Sequence, residues 1–249
     1  MLSVVIPTLN ESGNIARTIR HTLAAAGGAP LDLVVSDCDS TDDTAAIAAG
    51  LGARLVTGSK SRWEALNRGV SFTRGEGLLF LHADTLLPAG FAAAVLQALG
   101  RPGVVGGAFS FRFQRQPPTR VLQWKMLGLV ALMNNVRFRT SRNFYGDQAI
   151  FVHKSVFNRV GGFPERTLLE DLHFSRQMKR LGVTAILSPA VYSSPRRFLA
   201  RGIIHQTIQD IRLILADSLG LNAEGLMTRY NRWNHRQFRS SPTSSPQEV

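Results

Sequence analysis

The sequence predicts an α/β fold on a mostly parallel sheet. Four short, largely apolar runs at 2–6, 31–35, 53–56 and 78–81 recur through the first hundred residues, and a helix-length segment fills each gap. Strands alternating with helices in this way are joined by right-handed crossovers and lie parallel. Polar clusters follow the strand ends, and open α/β sheets bind ligands just beyond the carboxyl ends of their strands.

Each element has a local reason. The strand at 2–6 is closed by Pro7, and Asn10-Glu11-Ser12 opens a helix with Ile15, Ile19 and Leu23 on one face, ended by Gly27-Gly28. The run at 31–35 leads through a polar turn into an Ala-rich helix at 44–49. The strand at 53–56 precedes a helix at 62–72, and 78–81 closes the series. The second half is less regular. Residues 104–113 alternate well enough for an edge or antiparallel strand, with Gly106-Gly107 loosening its start. Pro117-Pro118 stops the chain before a helix at 119–134; a strand at 149–152 and a helix at 169–181 follow. Residues 185–192 read as a strand interrupted at Pro189. Ile204, Ile208, Ile211 and Leu215 recur at helical spacing within 201–219, with basic residues interleaved. The expected organisation is one domain at 1–200, an amphipathic helical appendage at 201–239 and a disordered Ser- and Pro-rich tail at 240–249.

Composition narrows the function classes. At 249 residues and 44% apolar content, the chain can bury a sizeable core in one domain with an appendage. Lys and Arg outnumber Asp and Glu by 29 to 17, and the resulting formal charge of +12 favours an anionic partner: nucleotide, phospholipid surface or nucleic acid. The single cysteine, Cys38, excludes an internal disulfide and makes a reducing cytoplasm the default setting. Residues 2–7 read as a core strand and not as a signal peptide, and no apolar run reaches the roughly 18 residues of a membrane span.

His82-Ala83-Asp84-Thr85 is the sharpest functional signal. It follows the apolar run Leu78-Leu79-Phe80-Leu81 directly, so Asp84 is aimed at the ligand crevice and can hold a divalent cation against a diphosphate. Pro7-Thr8-Leu9-Asn10-Glu11 ends the first strand; Thr8 can reach a base or ribose there, and a simple helix cap explains the same residues. Asp37 ends the second strand, where a carboxylate can accept N–H bonds from a base. Asp42 and Asp43 suit the next helix N-terminus, where negative charge contributes about 0.3–1 kcal/mol. Arg62 and Asn67 lie in the helix before the fourth strand; Arg62, or Lys60 beside it, can pair with a diphosphate or stay solvated.

Glu170-Asp171 starts a helix whose apolar side is Leu172, Phe174, Met178 and Leu181. These acids either answer the helix dipole or supply a general base, with Asp147 and Glu165 competing for that role. Gly161-Gly162-Phe163-Pro164 reads as a flexible approach to this helix, and Arg196-Arg197 either clamps phosphates or faces solvent. His82, His153, His173 and His205 show no metal-ligand spacing.

Taken in order, VVIPTLNE (4–11), SDCDSTDDT (36–44), SRWEALNRG (61–69), LLFLHADT (78–85), GDQAIFV (146–152) and GGFPE with LLEDLHFSRQMKRLG (161–165 and 168–182) resemble the inverting GT-A glycosyltransferases of family 2. The LHADT and GDQAIF strings are similar to a short bacterial branch labelled selenodomain-associated or arsenosugar-type. The resemblance covers 2–202 and implies a Rossmann-like three-layer αβα sandwich, with a donor half at 1–100 and an acceptor half at 101–200. It implies that Thr8, Glu11 and Asp37 contact the nucleotide base and ribose, and that Arg62 lies near the diphosphate. Asp84 matches the final acid of the DxD motif, which binds Mg²⁺ or Mn²⁺. Asp171 matches the base of the ED motif, with Glu170 beside it, and Gly146, Asp147 and Gln148 match a loop on the acceptor or sugar side. Arg196 and Arg197 resemble a late basic motif on the leaving diphosphate.

The departures are local. His82 takes the place of the first DxD acid on the donor-binding side, Cys38-Asp39 replaces a Gly-Gly pair, and Ser193-Ser194 stands where a metal-binding His is common. The implied reaction is metal-assisted direct displacement of a nucleotide diphosphate by an acceptor hydroxyl, with inversion. Two other classes compete. Sugar-phosphate nucleotidyl transfer calls for a Gly-rich basic loop after the first strand, which PTLNESGN does not supply. A non-catalytic basic adaptor on a membrane surface draws on the charge and on 121–134 and the segment from 201, whose apolar faces also suit packing on the sheet. The expected partners are a nucleotide sugar, a small-molecule or lipid acceptor and an anionic bilayer at the inner face of the cell membrane. Specific nucleic-acid binding is not expected, because no aromatic platform for bases is present.

Overall fold

The computed structural model describes residues 1–116 and 119–221. The Pro117-Pro118 stop, the appendage beyond 221 and the tail at 240–249 lie outside the described residues. The chain divides into two compact units, Met1–Ile203 and Ile204–Val249.

The first unit is built on one eight-stranded sheet: β1 (Leu2–Thr8), β2 (Leu31–Asp37), β3 (Arg54–Val56), β4 (Gly77–Phe80), β5 (Thr85–Leu86), β6 (Val104–Phe113), β7 (Phe151–His153) and β8 (Val183–Ser193). Their order is β3-β2-β1-β4-β7-β6-β8-β5. β3, β2, β1 and β4 are all parallel, as the alternation of short strands and helices requires. β7 pairs antiparallel with both β4 and β6, β6 and β8 are parallel, and β5 runs against β8. The sheet is therefore mixed but mostly parallel.

Period-two alternation along β1 feeds two cores. Leu2, Val4 and Ile6 pack with residues of α1 (Ser12–Ala25), α2 (Thr44–Gly50), α4 (Phe91–Leu99) and α5 (Val121–Ser141). Val5 points the other way, into a core shared with α3 (Arg62–Ser71), α6 (Lys154–Val160) and α7 (Glu170–Met178). Helices thus cover both faces of the sheet. The short α8 (Arg196–Arg201) closes the unit after β8.

Several expectations need correction. β6 is neither an edge strand nor wholly antiparallel; it lies inside the sheet between β7 and β8 and runs parallel to β8. Gly106 and Gly107 do not loosen it. A Cβ at Gly106 would overlap the Phe151 carbonyl oxygen and Met178 Sδ, and one at Gly107 would overlap the Ala185 carbonyl oxygen, so the pair permits close backbone approach. β8 runs through Pro189, with a register irregularity opposite Phe109 and Phe111 accommodating it. α5 continues to Ser141, well beyond residue 134. Leu23 is exposed, and α1 instead buries Ile15, Thr18, Ile19 and Thr22.

In the second unit, α9 (Ile203–Ser218) leaves Ile204, Ile208, Ile211 and Leu215 exposed. Among the described residues no helix is long and apolar enough to cross a membrane.

Candidate active site

β1, β2 and β4 end at one edge of the sheet, and the chain beyond them supplies Glu11, the 38–44 loop and His82-Ala83-Asp84. α3 begins at the same edge. Its N-cap Ser61 accepts the Glu64 N–H at 3.3 Å, which fixes the helix start and sets Arg62 in the first turn. α7 is drawn in by a cluster of rings. Phe163 stacks on Phe174 at 4.4 Å between centroids and meets Phe80, the last residue of β4, edge-on at 4.8 Å. Phe157 of α6 completes the cluster. Phe174 follows Asp171 by almost one helical turn, so the pairing of Phe174 with Phe80 aims the α7 N-terminus at the residues beyond β4.

The first cluster centres on Arg62. Its Nε lies 3.1 Å from Glu170 Oε1, as an ion pair without hydrogen-bond alignment, and its Nη2 lies 3.5 Å from Asp171 Oδ2. The same Nη2 is 2.7 Å from His82 Nε2. A guanidinium can only donate, so His82 Nε2 accepts and the ring proton sits on Nδ1. Burial, with Arg62, Arg197 and Arg196 nearby, holds the His82 pKa well below its ordinary value, which keeps the ring neutral. Asp171 Oδ2 also accepts the Gly146 N–H at 2.6 Å, and Oδ1 accepts the Leu172 N–H at 2.7 Å. Glu170 is buried, and burial pushes its carboxyl up against the opposing pull of Arg62.

Gly146 is required by this geometry. A Cβ there would overlap Arg62 Nη2 and His82 Nε2 and crowd Asp171. The neighbouring Gln148 is buried and accepts the Tyr145 N–H at 2.9 Å, so it shapes the turn that presents Gly146. Asp147 is half-buried in the same turn.

The second cluster centres on Arg196, in the first turn of α8. Nη1 donates to Glu11 Oε2 at 2.9 Å, Nη2 pairs with Glu11 Oε1, and Nε lies 3.1 Å from Asp84 Oδ2. Burial pushes the Asp84 carboxyl up, and Arg196 counters that shift. Arg197 follows, its guanidinium 5.9 Å from the Phe198 ring.

Residues 3–161 match the family described as Glycosyl transferase family 2. The chain belongs to that family. It is 33% identical over 96 residues to glucosyl-3-phosphoglycerate synthase of Mycobacterium tuberculosis, covering 35% of this chain and 30% of that protein. It is 30% identical over 175 residues to a PGL/p-HBAD biosynthesis glycosyltransferase of Mycobacterium bovis, covering 66% and 60%. The chain therefore spans from under a third to three fifths of these curated relatives. A crystal structure of the Mycobacterium tuberculosis synthase with Mn²⁺, UDP and glucosyl-3-phosphoglycerate has the same fold, with a TM-score of 0.57 and 20% identity over 89% of this chain and 81% of that one.

Not every residue singled out in the family 2 motifs lies open to the cleft. Thr8 and Asp37 are buried against each other: Thr8 Oγ1 donates to Asp37 Oδ1 at 2.6 Å, and Asp37 Oδ2 accepts the Ser40 N–H at 2.7 Å. They hold the β2 loop, as does Asn10, whose Oδ1 accepts the Thr41 N–H at 2.8 Å. Asn67 is a structural clamp. It donates to the Phe163 carbonyl and accepts the Phe163 N–H, both at 2.8 Å, and a Cβ on Gly162 would crowd its side chain, so Gly161-Gly162-Phe163-Pro164 is a pinned connection and not a flexible one. Glu165 is exposed. Cys38 is partly buried, and burial with Asp37 and Asp39 nearby pushes its thiol to about 11, so it stays protonated. His153 Nε2 meets the Leu99 carbonyl at 2.9 Å, a packing role.

The fit of a divalent cation turns on Asp84. Among the described residues no group of three His, Cys, Asp or Glu side chains could hold a metal by itself. Asp84 is a largely buried carboxylate already compensated by a cation, the Arg196 guanidinium. One carboxylate plus substrate phosphates is a usual donor set for Mg²⁺, so the site fits an ion that arrives with a diphosphate. The pairing of Arg196 with Glu11, 185 positions apart, has no local signature; the early Glu and the late Arg-Arg were visible only as separate motifs.

Proposed function

We propose that the protein is an inverting glycosyltransferase that moves a sugar from a nucleotide-diphosphate sugar to an acceptor hydroxyl. One observation carries this reading: Asp171 is fixed by the Gly146 N–H and faced by Arg62 at the same sheet edge that presents Asp84 and Arg196. A base and a diphosphate clamp side by side are what a single in-line displacement needs. Asp171 takes the proton of the acceptor hydroxyl, whose oxygen attacks the anomeric carbon as the bond to the diphosphate breaks. Arg62, Arg196 and Arg197 hold the leaving diphosphate, and stabilising the charge that grows there is the larger catalytic effect. Asp84 would hold a Mg²⁺ or Mn²⁺ ion, and that ion would supply further charge neutralisation on the leaving diphosphate. His82, neutral and joined to Arg62, sets the guanidinium between base and phosphate. Thr8 and Asp37 shape the loop in which the nucleoside sits, Glu11 orients Arg196, and Gly146, Asp147 and Gln148 form the sugar-side turn.

On this reading the donor half is 1–100 and the acceptor half 101–200, and the protein works in the cytoplasm on a small-molecule or lipid acceptor. The LHADT and GDQAIF strings favour the selenodomain-associated or arsenosugar-type branch. The Mn²⁺ and UDP of the synthase structure belong to that relative and support a nucleotide donor here by family membership. A screen of nucleotide sugars, read by nucleotide diphosphate release with and without Mn²⁺, tests the proposal. One donor is expected to give Mn²⁺-stimulated release; no release from any nucleotide sugar sinks the reading.

A further inference from the structure

α5 is apolar on its outside as well as its inside. Its inner face is accounted for, because Leu127, Val130, Ala131 and Phe138 are buried. The residues left on the surface, Val121, Leu122, Leu129, Leu132, Met133 and Val136, share the opposite face of the helix. They range from 52% exposed at Met133 to 72% at Val121, well beyond the scattered single apolar residues that any surface carries. A helix apolar all round is normally buried on all sides. The outer stripe of α5 therefore needs a cover.

Charge says what kind of cover fits. Arg120 caps the helix, Lys125 lies within the stripe and Arg139 lies at its far end, all exposed. No Asp or Glu occurs from Thr85 to Gly146, whereas Arg101, Arg112, Arg115, Arg120, Lys125, Arg137, Arg139 and Arg142 do. A second copy packed α5 against α5 would set basic residues against basic residues with no acid on this stretch to pair them. An anionic lipid surface meets both requirements: acyl chains cover the apolar stripe, and headgroup phosphates meet the Lys and Arg ends, whose long stems let the charges reach the interface.

We propose that α5 is a peripheral docking helix for an anionic phospholipid bilayer, lying flat with Leu129, Leu132 and Val136 at its centre. The helix is about 30 Å long, so its length lies along the interface. Ser141, its last residue, is five positions from Gly146, which tethers the acid cleft to the docked helix. That last consequence rests on the proposed transfer reaction; the docking itself does not.

Co-sedimentation of the full chain with phosphatidylcholine vesicles, with and without phosphatidylglycerol, tests docking directly. The wild type is expected to pellet with the anionic vesicles and to bind pure phosphatidylcholine at least about tenfold more weakly. A Leu129→Ser/Leu132→Ser/Val136→Ser variant is expected to lose about tenfold or more of its vesicle affinity while keeping its melting temperature, its sedimentation coefficient and its donor turnover in solution. A Lys125→Glu/Arg139→Glu variant is expected to lose the preference for anionic vesicles. Wild-type protein left in the supernatant, or a triple-Ser variant that pellets like wild type, overturns the proposal. So does a wild-type dimer that the triple-Ser change dissociates, which makes a second copy the cover. A lowered melting temperature of that variant also overturns it, because the stripe is then covered within the molecule. Donor turnover is read separately, so failure of docking leaves the transfer reaction untouched.

Discussion

Arg62 and Arg196, both at the strand-end edge, each span two carboxylates, yet they are held in different ways. Arg62 faces Glu170 and Asp171, neighbours in the first turn of one helix, and Asp171 is also gripped by the backbone N–H groups of Gly146 and Leu172. Arg196 joins Glu11 and Asp84, which come from different segments. Main-chain donors cannot swing away, so the acid of the first cluster is oriented before any substrate arrives. A side-chain cation can turn from carboxylate to phosphate, so the second cluster can rearrange around an incoming diphosphate and its metal. On the proposed reading, the comparison separates a fixed base from an adjustable clamp.

The sharpest way to break that contrast is Asp171→Asn. It keeps the shape and removes the base, and transfer is expected to fall by about 10²–10⁴-fold, with donor affinity by calorimetry changed by less than about threefold. Near-normal turnover would falsify the assignment. Gly146→Ala tests the close packing around that grip. Its Cβ must displace Arg62 or His82, and displacement of the base on the order of 1 Å is expected to cost up to about 100-fold in kcat, with the circular dichroism spectrum preserved. A mild effect, equal to that of Ala at Gly128, where a Cβ meets nothing, would show that this packing is not needed.

Asp84→Ala probes the adjustable side. It is expected to weaken donor binding by about tenfold or more in Mn²⁺ and to leave binding in EDTA nearly unchanged. Equal loss with and without metal would place Asp84 outside cation binding. Glu11→Gln should lower folding stability by about 1–3 kcal/mol by urea denaturation, because Glu11 is buried and bonded twice to Arg196, although that partner is 40% exposed. Cys38→Ser should do least, leaving turnover within about twofold from about pH 6 to 9. The thiol titrates only near 11, so over that range both residues present a neutral side chain.

The sequence is most legible where structure is local. The first four strands and the helices between them follow from alternation, and the sheet bears this out strand by strand. β6 resists such reading, because its place between β7 and β8 depends on partners tens of residues away. The Gly106-Gly107 pair looks like a weakness until the neighbouring carbonyls are in place. The site shows the same division. Asp84 and Asp171 stand out from strand-end and helix-start positions, whereas the clamp role of Asn67 appears only when Phe163 folds against it. Thr8 and Asp37 read as separate ligand contacts, and only the structure shows that they are also bonded to each other. The sequence marks 121–134 as suited to a membrane surface or to the sheet, but an apolar helix gives no sign of which side the sheet will claim.

The Glu11 to Arg196 bond closes a loop of 185 residues, and the family match ends at 161. Glu170, Asp171, Arg196 and Arg197 all come after that point in the chain. The growing polypeptide therefore passes through a length at which it holds Asp84 and Arg62 but neither the proposed base, Asp171, nor the second guanidinium. On the proposed reading, competence arrives only with β8 and α8, which bring the second guanidinium to the site.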